Sequence, residues 1–242
     1  MSVSEEMEIA GWASLSCDAG ALPQRFVAPA DDGTPHPLAA AAAQRLLHEL
    51  ATGVLARGID FHSVGAGKMF GVLVVVDANG EPGCLRGFSG MIGQRWNVAG
   101  FVPPLFDAAA LATFWPAGEL EVDAMTQAIA ALEGDERAAM IAARRERSRE
   151  LWARIQTHYR IADAHGRVRT NAELFAPAAP PGGAGDCAGP KLIAAAYRNA
   201  LRPLALAEVW WGAPMGERTQ GTFHAPCATK CGPILRHMLA GA

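Results

Sequence analysis

The sequence of 242 residues predicts an α+β domain in three layers, with an α/β-like order of elements: helix, β-hairpin, long insertion, helix, strand, helix. Three observations predict it. The apolar runs Lys68 to Val76 and Gly83 to Gly90 flank Asp77-Ala-Asn79-Gly80, and Asn-Gly between such runs is a strong hairpin signal because both residues tolerate positive φ. Leu38, Ala42, Leu46, Leu47, Leu50 and Leu55 return at helical spacing. Hydrophobic residues are 50% of the chain and charged ones 19%, enough to bury one sizeable core or two small ones and to exclude disorder as the dominant state.

Residues 1–37 hold many Pro, Gly and Asp between Trp12 and Pro37 and read as an extended leader packed over something else. The first helix then runs from Pro37 to a stop at Arg57-Gly58. After the hairpin, Pro103-Pro104 ends regular structure in a Gly- and Trp-punctuated loop. In 119–159, Met125, Ile129, Leu132, Met140, Ile141, Leu151 and Ile155 predict a helical arm or hairpin broken at Gly134-Asp135. Arg144, Arg145, Arg147 and Arg149 interleave there with Glu146 and Glu150, a solvated face rather than a dedicated RNA stripe. Ala176 to Gly185 is a Pro/Gly linker. Beyond it, Asp186 and Cys187 open a helix that tolerates Pro190, Pro203 to Trp211 form a strand, and Pro226-Cys227 to Met238 form the last helix. Residues 38–90 and 183–242 thus make the core, and 91–182 the insertion.

The net charge of −3 offers no global attraction to nucleic acid, but the charge is unevenly spread. Residues 187–242 hold six basic groups against two acids, while the first 186 hold 15 basic against 22 acidic. Lys191, Arg202 and Lys230, with Trp210 and Trp211 as stacking candidates, are the residues expected to meet structured RNA. Alternation along the strand puts the two tryptophans on opposite faces, so at least one belongs to the core. No apolar run reaches the about 18 residues of a membrane span, and the acidic start Met1 to Ala10 is unlike a secretory signal, so the chain reads as cytoplasmic.

Three of the five cysteines fall in the basic end. In a reducing compartment such clustering points to metal or reactivity rather than disulfides. Cys187, Cys227 and Cys231, near helix starts that favour thiolates, are the candidate ligands of one zinc, with His224 a further candidate. Three buried free cysteines are the alternative. Gly65-Ala-Gly67-Lys68 lacks the spacing of a phosphate loop, and Ser89 has no nucleophile elbow around it.

Taken in order, the hairpin, the helix opening Asp186-Cys187-Ala, the strand and the Pro226-Cys227 helix resemble the core of the zinc-dependent nucleobase deaminase fold. The resemblance implies that Cys187, Cys227 and Cys231 hold zinc and that a Glu two residues after the first ligand shuttles protons. Gly189 stands there instead, and losing a general acid–base costs on the order of 10²- to 10⁴-fold. The expectation is therefore a deaminase-like scaffold that does not deaminate, unless the fold brings Asp186 or Glu208 to the site.

A second resemblance covers about 35–239. Pro35-His36-Pro37-Leu38, Gly67-Lys-Met-Phe-Gly71-Val-Leu-Val-Val75, Gly87-Phe-Ser-Gly90 and Gly100-Phe-Val-Pro-Pro-Leu-Phe-Asp107 resemble the N-terminal extension of long RluA-type pseudouridine synthases. So do Gly183-Ala-Gly-Asp-Cys-Ala-Gly-Pro-Lys-Leu192, Ala207-Glu-Val-Trp-Trp-Gly212 and Phe223 to Leu239. The resemblance implies a chain tied to converting uridine to pseudouridine in ribosomal or transfer RNA, without organic cofactor, in cis or in trans with a synthase catalytic domain. The Arg-Leu-Asp motif of that catalytic domain is absent from the sequence, so no catalytic Asp carries over.

Overall fold

In the computed structural model, which describes residues 9–17 and 19–241, the expected mixture of helices and sheet is present. Residues 1–8 of the leader lie outside the described residues. The elements are β1 (Trp12–Ser14), α1 (Pro37–Ala51), β2 (Lys68–Val76), β3 (Pro82–Phe88), α2 (Ala108–Ala112), α3 (Trp115–Ala130) and α4 (Gly134–Gln156). They continue with β4 (Ile161–Ala162), β5 (Val168–Arg169), α5 (Asn171–Phe175), α6 (Ala188–Arg198), β6 (Arg202–Trp211), β7 (Phe223–His224) and α7 (Cys231–Met238).

Five strands form one antiparallel sheet in the order β1-β3-β2-β6-β7, and β4 with β5 form a separate small hairpin. Its central strands read as nearly unbroken apolar runs because both faces are covered. Phe70, Val72 and Val74 of β2 meet Ala205, Ala207 and Val209 of β6 under α1, where Ala39, Ala43 and Leu46 close the layer. On the opposite face Leu73, Val75 and Leu206 pack against Leu192 and Ile193 of α6 and Ile234 and Met238 of α7. Gly71 and Gly87 pair across β2 and β3 and leave the hollow that Leu192 fills: a Cβ at 71 would lie 3.0 Å from its Cδ1, and one at 87 would lie 3.1 Å from its Cγ. The absence of side chains there lets α6 approach the sheet closely.

The structure refines four expectations. Part of the leader is a strand: β1 pairs with β3, and Val27 bridges to Ala205. The hairpin loop is not a two-residue Asn-Gly turn; it runs from Asp77 to Glu81, whose carbonyl accepts from Asp77 N, and only Gly80 takes a positive φ, of 86°. The Asp77 carboxylate caps the loop by accepting from the amides of Asn79 and Glu81, both at 2.8 Å, a local competitor that overrides the simpler turn. The arm is a helical hairpin, α3 against α4, tied by Arg147 to Glu121 at 2.8 Å and by Arg144 to the Thr126 hydroxyl at 2.7 Å. The last helix begins at Cys231, so Cys227 lies in the turn before it.

The root of the insertion shares the core on the α6 face, since Val102, Phe106, Leu111, Phe114, Leu151, Ile155 and Tyr159 belong to the same cluster as Leu192 and Ile234. No described helix is long and apolar enough to cross a membrane.

Candidate metal centre

The sheet order brings the two ends of the cysteine-bearing segments together. Strand β6 lies between β2 and β7, and the turn after β7 returns the chain over the N-terminus of α6. Cys187 is the N-cap residue of α6, and Cys231 is the first residue of α7. The Cys227 carbonyl accepts from Gly232 N at 3.0 Å, which closes the turn that carries the second thiol. The three sulfur atoms all lie within 4.8 Å of one another, with Cys227 and Cys231 Sγ 3.6 Å apart.

That geometry suits a small soft cation. Sulfurs about 2.3 Å from a tetrahedral zinc stand roughly 3.8 Å from each other. Among the described residues no fourth His, Cys, Asp or Glu joins the group, so the set that could hold a metal is three thiols. His224, expected as a possible addition, is engaged elsewhere: its Nε2 is 2.9 Å from the Thr222 hydroxyl. The crowded thiols share protons unequally. Cys187 is pushed up to about 12 by its hydrogen bond to Cys227, Cys231 is raised for the same kind of reason, and Cys227 is held low by its contacts with both.

The loop that presents Cys187 is fixed from three sides. Ser89 Oγ accepts from Ala188 N at 3.2 Å, Gly90 N donates to the Asp186 carbonyl at 2.8 Å, and Lys191 Nζ donates to the carbonyls of Phe88 and Gly90 at 3.0 and 2.9 Å. Tyr159, at the root of the insertion, donates its hydroxyl to the Asp186 carboxylate. Gly185 has φ of 94°, and any side chain there would run into the Tyr159 ring. Burial pushes Asp186 up to about 6 against the pull of Lys191, and lowers Lys191 to about 8.

Glu208 completes the site from the sheet. It is 4% exposed, and its Oε1 accepts from Gly189 N at 3.1 Å. A Cβ at Gly189 would lie 3.6 Å from that oxygen. The carboxyl is pushed up to about 7, mainly by burial and secondarily by the charge of Cys227. Burial and the neighbouring Cys227 charge both oppose ionisation of Glu208, and a cation among the thiols would relieve that charge.

The sequence-based candidates therefore divide. Cys187, Cys227 and Cys231 come together and Glu208 reaches the start of α6 at Gly189 N, whereas the Asp186 carboxylate is spent on Tyr159 and acts as a positioning group. The five residues expected to meet RNA do not form one surface. Lys191 is 1% exposed and bound to carbonyls, Trp210 is buried with its indole N–H on the Ala213 carbonyl, and Trp211 packs in the core beneath α1. Arg202 is exposed but stands at the opposite end of β6 from Trp211, and Lys230 is half-buried beside the cysteines. A strand covered on both faces leaves neither tryptophan free to stack on a base. Ser89 and Tyr159, 99 and 27 residues from their partners in the 186–188 loop, carried no sequence signal for these roles.

No family model, curated protein or solved structure matches the chain.

Proposed function

We propose that this chain is a deaminase-like module that holds zinc at Cys187, Cys227 and Cys231, accompanies an RluA-type pseudouridine synthase domain in cis or in trans, and hydrolyses an exocyclic amine of a nucleobase. The observation that carries the hydrolytic reading is the Glu208 carboxylate hydrogen-bonded to Gly189 N, the backbone position two residues after Cys187. A carboxylate missing from α6 is supplied there by the facing strand. The order of helix, hairpin, helix, strand and helix, with β2 antiparallel to both neighbours, supports the fold resemblance.

Zinc, when bound, supplies Lewis acidity for activating a water. The chain's residues supply the rest. Gly189 N–H holds Oε1 of Glu208, leaving Oε2, which has no hydrogen-bond partner among the described residues, to take a proton from the attacking water. The same oxygen returns a proton to the departing nitrogen, so the C–N bond is replaced by a carbonyl and ammonia leaves. In the metal-free chain burial pushes this carboxyl up to about 7, and a carboxyl so buried can take up and release a proton near neutral pH. Lys191 and Tyr159 keep the Cys187 loop in register and take no part in proton transfer.

The test measures zinc content and turnover of cytidine, adenosine and short RNA by the wild-type chain, Cys227→Ser and Glu208→Gln. The expected result is about one zinc per chain, lost in Cys227→Ser, with turnover lowered about 10²- to 10⁴-fold in Glu208→Gln while its zinc is kept. Zinc without turnover on all three substrates would reduce the site to a structural metal and leave the accessory role in the synthase.

A further inference from the structure

The helical hairpin flanks an open cavity of about 1050 Å³ that none of the three cysteines lines. It lies between α3, the C-terminal half of α4, the start of α5 and linker residues 179–182. Its lining sets the apolar walls Trp115, Val122, Leu151 and Trp152, with two indoles among them, beside the carboxylates of Glu119 and Asp123 and the guanidinium groups of Arg149 and Arg160. The size matches a small-molecule pocket, commonly about 300–1,000 Å³.

Two buried donors in this lining, Trp152 Nε1 and Gln156 Nε2, have no hydrogen-bond partner among the described residues, while Trp115 Nε1 faces the Glu119 carboxyl. Gln156 is the decisive one, at 7% exposure. Its amide orientation is fixed through a chain of bonds. The Ala184 carbonyl can only accept, so the Asn171 atom 2.9 Å from it is Nδ2, and the Gln156 atom 2.6 Å from the same Nδ2 is Oε1. The Gln156 NH₂ is thereby left without a protein acceptor. A buried donor left unpaired is costly, so two beside aromatic walls call for an occupant that brings acceptors. At the rim, Arg160 makes no ion pair among the described residues.

We propose that this cavity binds a small planar aromatic molecule bearing carbonyl or carboxylate oxygens, its apolar body between the walls and its oxygens accepting from Gln156 Nε2 and the Trp152 indole N–H. A peptide segment or ordered water alone would be the competing occupants. Neither uses the aromatic walls and the two free donors together in a volume of this size. The site is independent of the metal centre and of the reaction proposed for it.

The probe is 2-naphthoate, titrated into the whole chain and followed by tryptophan fluorescence and by ligand-observed NMR, beside 2-methylnaphthalene, which has the same apolar body and no acceptor. The expected result is saturable binding of one 2-naphthoate per chain, about tenfold tighter than 2-methylnaphthalene. Gln156→Leu should weaken 2-naphthoate about tenfold, and Val122→Trp, which fills the cavity, should abolish binding with near-ultraviolet circular dichroism otherwise preserved. No saturable binding up to about 1 mM would overturn the proposal, as would equal affinity for the two probes. The two-probe comparison needs only the wild-type chain, so it decides the matter even if a variant fails to fold.

Discussion

Replacing Tyr159 by Phe removes one oxygen from a fully buried ring and leaves the Asp186 carboxylate without the hydroxyl that donates to it. Water cannot take the vacated place cheaply, because Tyr159 is 0% exposed and Phe106 packs edge-on against its ring at 5.2 Å. A hydrogen bond to a charged group contributes about 1.5–3 kcal/mol, so Tyr159→Phe should destabilise the chain by about 2 kcal/mol. For a chain of this length that lowers Tm by roughly 4–8 °C. The assay is urea unfolding with a chelator present, on wild type, Tyr159→Phe, Asp186→Ala and the double variant. At pH 7.5 Asp186 is ionised, since its carboxyl lies at about 6, and the double-mutant cycle should give a coupling of about 2 kcal/mol. At pH 5 the carboxyl is protonated, the bond is neutral, and the coupling should fall to about 1 kcal/mol. Additive effects within about 0.5 kcal/mol at pH 7.5, or the same coupling at both pH values, would refute the reasoning.

Three further outcomes are expected. In the metal-free chain Glu208 has its folded value raised from 4.5 to about 7, so its contribution to stability is full below 4.5 and is lost as pH rises through 7. Glu208→Gln should flatten that fall by about 3 kcal/mol in unfolding measurements between pH 5 and 8; an unchanged slope would show that the carboxyl is not held in the buried site. Leu192→Ala empties the hollow over Gly71 and Gly87 and should cost about 2–5 kcal/mol, whereas Gly71→Val, forced against Ala188 and Leu192, should cost about 1–3 kcal/mol; chemical denaturation reads both. Timed alkylation of the metal-free chain at pH 7 with mass-spectrometric mapping should label Cys227, half-buried and held low, well before Cys84, which is buried and raised by that burial; equal rates would contradict the shared-proton picture.

Much of the fold was legible because its signals are local. The runs 68–76 and 203–211 announce strands by β-branched and apolar content, and the spacing of Leu38 to Leu55 announces a helix, since each property is set by residues within one or two turns. The break at Gly134-Asp135 is local in the same way, and α4 starts at Gly134 with a positive φ of 54°. The cysteines were legible as a set because their helix-start positions are sequence features. Where Cys227 sits was less so, because the turn that carries it is closed by a bond from Gly232, and the helix begins four residues later than the Pro226-Cys227 signal suggests.

The sequence by itself determined the alternation of elements, the three candidate thiols and the lack of a carboxylate two residues after the first of them. Only the tertiary structure decided what stands in that carboxylate's place. Glu208 faces Gly189 because β6 lies beside β2 under α6, a pairing across 19 residues that no spacing rule encodes. The same packing buried Trp210, Trp211 and Lys191, which composition alone offered to RNA. It also turned Tyr159, an unremarked residue at the foot of the arm, into the support of Asp186. Local propensity acts along the chain, but burial, and with it the value of a charge or an indole ring, is set by what the chain folds against.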